Sequence, residues 1–273
     1  MIKYAVMIFM YNDWVNSDNG SHEELFKILT EAGAEGIEAF TSYFINNDEL
    51  LKLYQKAMKD NGITMPVMDL ISNLACADKN MRNEEYEKMR RGIDICDAMN
   101  SDIIHVAGCS LVEGITPHDG RMLIAEGLSA FVDDVEKRGM VLAIEDYDPS
   151  PTLICSAADC LDILRQTDDR VKFVFDTGNF EAVGEHAENN FGQLIDQTCH
   201  FHFKDFEADN STTGYHGTYF GQGIVKNQKI AQAIINTGYN GWVALESYLQ
   251  NGNGPAETIP EELTILKSMF CMS

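Results

Sequence analysis

Positive charge is what this 273-residue sequence has least of: 20 lysines and arginines stand against 43 aspartates and glutamates, a formal net charge of −23 at pH 7. A field of that sign repels polyphosphate and anionic lipid, which argues against nucleic-acid and membrane-surface partners. It also keeps a solvated surface self-repelling and soluble. No apolar run approaches the roughly 20 residues of a bilayer span. The first nine residues are apolar but lack a cleavage site, and Tyr11, Asn12 and Asp13 break the run. The seven cysteines (76, 96, 109, 155, 160, 199 and 271) include no Cys-x-x-Cys pair. That excludes a zinc knuckle, makes a disulfide framework a poor reading, and suits free thiols in a reducing, cytoplasmic setting. A glycine-rich phosphate loop after an early strand is missing too, since Gly33-Ala34-Glu35-Gly36 precedes its strand. This counts against a doubly wound dinucleotide fold.

What is there is alternation. Hydrophobic residues make up 45% of the chain, enough for a large core. Short β-type runs fall at 4–9, 36–39, 64–70, 102–107, 141–145, 171–176, 199–205 and 242–247, with amphipathic helical stretches between them. Ser21-His22-Glu23-Glu24 has capping-box spacing, Thr116-Pro117 sets a cap before a first-turn proline, and Ser156 to Asp159 repeats the cap. Gly33 and Gly62 stop helices ahead of strands, and residues 260–269 close the chain as a helix. Eight strictly alternating units without a linker predict an α/β fold: one (β/α)8 TIM barrel domain over residues 1–273.

The informative pattern lies at four strand ends. Glu145 ends Val141-Leu142-Ala143-Ile144, and Asp176 ends Phe173-Val174-Phe175. His202 lies within His200-Phe201-His202-Phe203-Lys204, and Glu246 ends Val243-Ala244-Leu245. In a parallel barrel the carboxyl ends of the strands share the face where sites are built. Side chains alternate along a strand, so Ala143 and Glu145 share one face, as do Val174 and Asp176, Ala244 and Glu246, and His200, His202 and Lys204. The large apolar residues between them can all face the helices. One polar residue ending a strand marks a loop more often than a ligand; four that agree favour a site. Three carboxylates gathered together repel unless a cation joins them. A Glu₂-Asp-His set without thiolate favours one divalent ion, with Mn²⁺ first and Mg²⁺, Co²⁺ or Zn²⁺ compatible.

These motifs resemble the xylose isomerase-like barrel superfamily of sugar isomerases and epimerases, which also holds the AP endonucleases. Glu145, Phe175-Asp176-Thr177-Gly178-Asn179, His202-Phe203-Lys204-Asp205, Gly221-Gln222-Gly223 and Gly238 through Glu246 occur in the family's order, with Gly33 through Glu38 like its second-strand signature. The resemblance implies that Glu145, Asp176, His202 and Glu246 bind one metal ion. It also implies that Glu145 and Glu246 act as the acid/base pair through a metal-held enediolate. Three departures separate the chain from the ketose 3-epimerases: Asn179 for a frequent histidine, Ala208 for an arginine, and Pro151 for a second glutamate. Against the AP endonucleases, His105 and His216 match two extra ligand places. Asn179 and Gly214 stand where a histidine and an aspartate are expected, and residues 69–78 hold no histidine.

His105, Asn179 and Lys204 are candidates to bind substrate. Phe9 and Trp14 follow the first strand, where an aromatic wall would stand, while Glu38 is read as a loop cap. His22, His118 and His186 fall in helical or loop contexts and are read as solvated. The arginines at 82, 90, 91, 121, 138, 165 and 170 fall in helical or loop segments, which points to an unphosphorylated keto-sugar or cyclitol. The expected activity is a metal-dependent sugar isomerase or epimerase. A lyase or dehydratase on the same scaffold is the enzymatic rival, and a sugar-binding barrel without turnover the non-enzymatic one. Barrels of this kind often pair, so a homo-oligomer is compatible with the chain.

Overall fold

A computed structural model describes residues 1–210, 214–249 and 253–271. Eight parallel strands close a barrel: β1 (Lys3–Met7), β2 (Gly36–Phe40), β3 (Thr64–Ile71), β4 (Ile103–Ala107), β5 (Val141–Glu145), β6 (Lys172–Asp176), β7 (Thr198–Phe203) and β10 (Trp242–Leu245). Neighbours follow chain order around the ring, and β10 closes it between β7 and β1. Two short strands, β8 (Phe206–Ala208) and β9 (Tyr215–Gly217), form an antiparallel hairpin between β7 and β10. This is a (β/α)8 TIM barrel, as the alternation predicts. The hairpin was not foreseen.

The helix signals act as read. Ser21, Thr116 and Ser156 each accept a hydrogen bond from the backbone N–H three residues on, opening helices His22–Glu31, Pro117–Lys137 and Ala157–Leu164. Gly33 and Gly62 take positive φ (73° and 68°) where those turns end, a conformation that suits glycine. The closing helix is longer than predicted and starts at Pro255.

Alternation sorts the strand side chains into two cores. Leu142, Ile144, Phe173, Phe175, Phe201, Phe203, Val243 and Leu245 all join the outer core between sheet and helices. Inside the barrel, Val67, Ile103, Ala143 and Val174 pack as one apolar layer, with Ala5, Met7 and Ala244 as another. The next inward position toward the carboxyl end is polar on strand after strand. It is Asp69 on β3, His105 on β4, Glu145 on β5 and Asp176 on β6, and all four are buried.

Asp205 ties the rim together below β7. Its buried carboxylate accepts backbone N–H groups from Phe206 (3.0 Å), Gly221 (3.0 Å), Gly223 (2.9 Å) and Val225 (3.1 Å). A Cβ at position 223 would lie 2.1 Å from Asp205 Oδ1 and 2.3 Å from the Phe206 carbonyl oxygen. The Gly221-Gln222-Gly223 motif is thereby explained as a backbone cradle for an acid. Gly223→Ala should cost about 1–3 kcal/mol through overpacking, read as a lower melting temperature. Gln222→Ala, at an exposed position between the two glycines, should leave melting unchanged.

Candidate active site

His202 is the centre of the polar layer. The register sets Asp176 of β6 and Ala244 of β10 opposite it. Its Nδ1 lies 3.3 Å from Glu145 Oε2, and its Nε2 lies 3.1 Å from Glu38 Oε2. The other Glu38 oxygen, Oε1, lies 2.7 Å from Nε2 of His200. Glu38 and both histidines are fully buried, so Glu38 is an interior residue of β2 and not the loop cap expected. It occupies one edge of the His202 ring and leaves Nδ1 facing Glu145 and Asp176. Carboxylates that bind the far nitrogen of a metal-ligating histidine orient the ring in this way.

Asp176 is held by the turn that follows its strand. Its Oδ1 accepts backbone N–H groups of Gly178 (2.7 Å) and Asn179 (2.8 Å), which leaves Oδ2 for the site. Ligand-capable atoms of Glu145, Asp176 and His202 all lie within 4.8 Å of one another. Glu246 stands apart from that cluster, just beyond the last residue of β10. Lys204 links the two groups, its Nζ 3.4 Å from Asp176 Oδ2 and 3.0 Å from Glu246 Oε2. The lysine stem needs Gly178, where a Cβ would lie 2.6 Å from Lys204 Cγ. Of four residues expected to converge, the structure gathers three and joins the fourth through a lysine.

The donors suit a divalent ion. Glu145 Oε2, Asp176 Oδ2 and His202 Nδ1 are buried, and their contacts are the ion pairs of His202 with Glu145 and of Lys204 with Asp176. Burial pushes the Asp176 carboxyl up to about 7; Lys204 opposes this, while Glu246 and Glu145 reinforce it. Burial also disfavours the charged form of Glu145, but His105 and His202 outweigh it and hold the carboxyl below its usual range. The same contest at Glu38, burial against His200 and His202, leaves it at about 2. Acids crowded in a low-dielectric interior favour a nearby positive charge.

His105 and Asn179 are buried beside these residues. His105 Nε2 is 3.2 Å from Glu145 Oε1. Asn179 donates through Nδ2 to the Asp146 carbonyl, and its own Oδ1 has no partner. His105, Asn179, Lys204, Glu145 and Glu246 all line a cavity of about 290 Å³. Phe9, Phe40, Tyr147 and Tyr248 give it an aromatic side. Trp14 takes no part in that lining; it packs where a Cβ on Gly20 would meet its ring at 2.5 Å. Two larger surface grooves, of about 580 and 470 Å³, lie on the helix ring away from the polar layer. His216 sits exposed on β9, 2.9 Å from Asp209, outside the clusters that hold His105. His118 and His186 are exposed as expected, whereas His22 is half-buried, 3.0 Å from the Tyr54 hydroxyl.

Glu38 and Asp69 are the residues that sequence reasoning missed. The signal was present: Gly36 and Glu38 on β2, and Val67 and Asp69 on β3, share parity just as Ala143 and Glu145 do.

Among the described residues, no helix is long and apolar enough to cross a membrane. The inosose dehydratase of Lacticaseibacillus casei is 28% identical over 156 residues, 52% of this chain. The chain spans about half the length of that curated relative, 50% of it. The structure of D-psicose 3-epimerase from Clostridium cellulolyticum H10 matches with a TM-score of 0.79 at 15% identity, over 99% of this chain and 100% of the other. That of the IOLI protein with a bound zinc atom matches at 0.78 and 16% identity, over 98% and 96%. Likeness at such identities shows the fold alone. The sequence profile of the xylose isomerase-like TIM barrel matches residues 26–269, and the chain belongs to that family.

Proposed function

We propose that the protein is a divalent-metal-dependent isomerase or epimerase acting on a small, unphosphorylated keto-sugar or cyclitol. The observation that carries this reading is the convergence of Glu145, Asp176 and His202, whose ligand-capable atoms lie within 4.8 Å of one another, with Glu145 also lining the cavity. Glu246 lines the same cavity just past the end of β10, three strands around the ring from β5. With Glu246 as fourth ligand, these residues would hold the ion, for which Mn²⁺ is the first candidate. A bound divalent ion supplies a Lewis acid that polarises a substrate carbonyl and acidifies the neighbouring C–H.

The side chains do the remaining work. Glu246, held 3.0 Å from Lys204 Nζ, takes the proton from the carbon beside the carbonyl. Lys204 faces the negative charge that then develops on oxygen. Glu145, on taking a proton from water, returns it from its own side of the cavity, and Glu246 releases its proton to water before the next turnover. Return on the opposite face inverts a stereocentre, and return to the adjacent carbon moves the carbonyl. Phe9, Phe40 and Tyr248 cover the C–H face of a ring, while Asn179 Oδ1 is placed to accept a hydroxyl proton. Among the described residues, no arginine lines the cavity, which supports an unphosphorylated substrate.

The sequence likeness to an inosose dehydratase favours one second reading. The same proton abstraction followed by loss of a β-hydroxyl would expel water. NMR of ketoses and inososes incubated with the protein in D₂O separates the outcomes. Solvent deuterium in an intact sugar is expected; a dehydrated product would move the assignment to a dehydratase. Ligand binding with no exchange at any carbon would leave a sugar-binding barrel. Glu246→Gln should lower kcat at least about 100-fold, the lower range for loss of a general acid/base. Near-normal turnover in that variant would remove Glu246 from the chemistry.

A further inference from the structure

The barrel interior holds a polar pair that the chemistry above leaves unused. Asp69 on β3 and His105 on β4 are register partners. Their side chains are 1% and 2% exposed, and both line the cavity. Asp69 Oδ1 lies 2.7 Å from His105 Nδ1, and the other ring nitrogen, Nε2, lies 3.2 Å from Glu145 Oε1. The two nitrogens sit on different edges of the ring, so the tie to Asp69 decides which edge Glu145 meets. The second Glu145 oxygen, Oε2, lies 3.3 Å from Nδ1 of His202, the other ligand candidate.

We infer that Asp69 and His105 are a positioning pair for Glu145: they occupy Oε1 and so present Oε2 alone to the ion. The inference rests on the reading of Glu145 as a ligand. It mirrors the arrangement at His202, where Glu38 takes one ring edge and leaves the other to the site. Both ligands are then aimed by a buried partner acting on the atom that does not bind. Partners of this kind typically change metal affinity by about 10–100-fold. Asp69, His105 and His202 also bring ligand-capable atoms within 4.8 Å of one another, so a second ion is the competing use of the same atoms. The 2.7 Å contact of Asp69 with His105 turns those two groups toward each other instead.

Calorimetric titration of the full chain with Mn²⁺ against a chelator tests this, alongside melting in the absence of metal. One ion per chain is expected for the wild type. Asp69→Ala and His105→Ala should each bind it about 10–100-fold more weakly, while His105→Gln, which keeps an N–H donor beside Glu145, recovers most of the loss. If the alanine variants fail to fold, His105→Leu fills the volume without a polar edge and should show the same weakening. Unchanged affinity in variants that melt like the wild type would overturn the inference. So would two ions in the wild type with one lost in either variant, because the pair would then be a ligand set. A wild type that binds no ion would strike the metal reading itself, and this inference with it.

Discussion

Among the acids buried at the carboxyl end of the barrel, Glu38, Asp69, Glu145, Asp146, Asp176 and Glu246 crowd around the polar layer, and the energetics of the site follow from that crowding. An ionised carboxylate out of water is costly unless a cation or a set of N–H groups meets it. The chain answers with three histidines and one lysine. His200 and His202 meet Glu38, His105 meets Asp69 and Glu145, and Lys204 meets Asp176 and Glu246. Asp146 has none of these partners; burial pushes its carboxyl well above the usual range, with Asp176 and Glu145 adding to the rise. Glu145, Asp176 and His202 bring ligand-capable atoms within 4.8 Å of one another, and a divalent ion there would meet both carboxylates.

The strands can carry this load because their other positions are apolar. Two residues below the polar layer, Val67, Ile103, Ala143 and Val174 fill the barrel, and the residues between face the helices. A slip of one residue in β5 or β6 would drive an acid into the outer core and Ile144 or Phe175 into the cavity, so register and chemistry are fixed by the same pattern.

That pattern made much of the fold and part of the site legible in the sequence. Glu145 and Asp176 are the last residues of β5 and β6, and His202 lies within β7, so alternation determines where each points. Lys204 and Glu246 lie past the ends of β7 at Phe203 and β10 at Leu245. Both still face the cavity as alternation predicts. The register sets Ala244 opposite His202, so Glu246, two residues on, meets Lys204 and not His202, although Glu246 and His202 were read as sharing one centre. Glu38 and Asp69 obeyed the alternation, but a single acid in a short run reads equally well as a loop cap. Their burial becomes evident only when β7 and β4 supply histidines across the barrel. The β8–β9 hairpin has three residues per strand, too few for a periodic signal.

The hairpin nevertheless shapes what the cavity can accept. It brings Phe206 against Tyr215, with ring centroids 4.7 Å apart, and against Tyr248 at 5.9 Å. Gly217 makes the approach possible, since a Cβ there would fall 2.3 Å from the Tyr248 ring. The Tyr215 hydroxyl lies 3.3 Å from Asp148, which ties the hairpin to the segment after β5. Tyr248 is thus braced from behind as part of the cavity's aromatic side. A polyhydroxylated ring has apolar C–H faces and a polar rim. Rigid aromatics on one side and fixed carboxylates on the other complement both at once. A flexible chain of methylenes would satisfy only the first, and a compact polyanion neither.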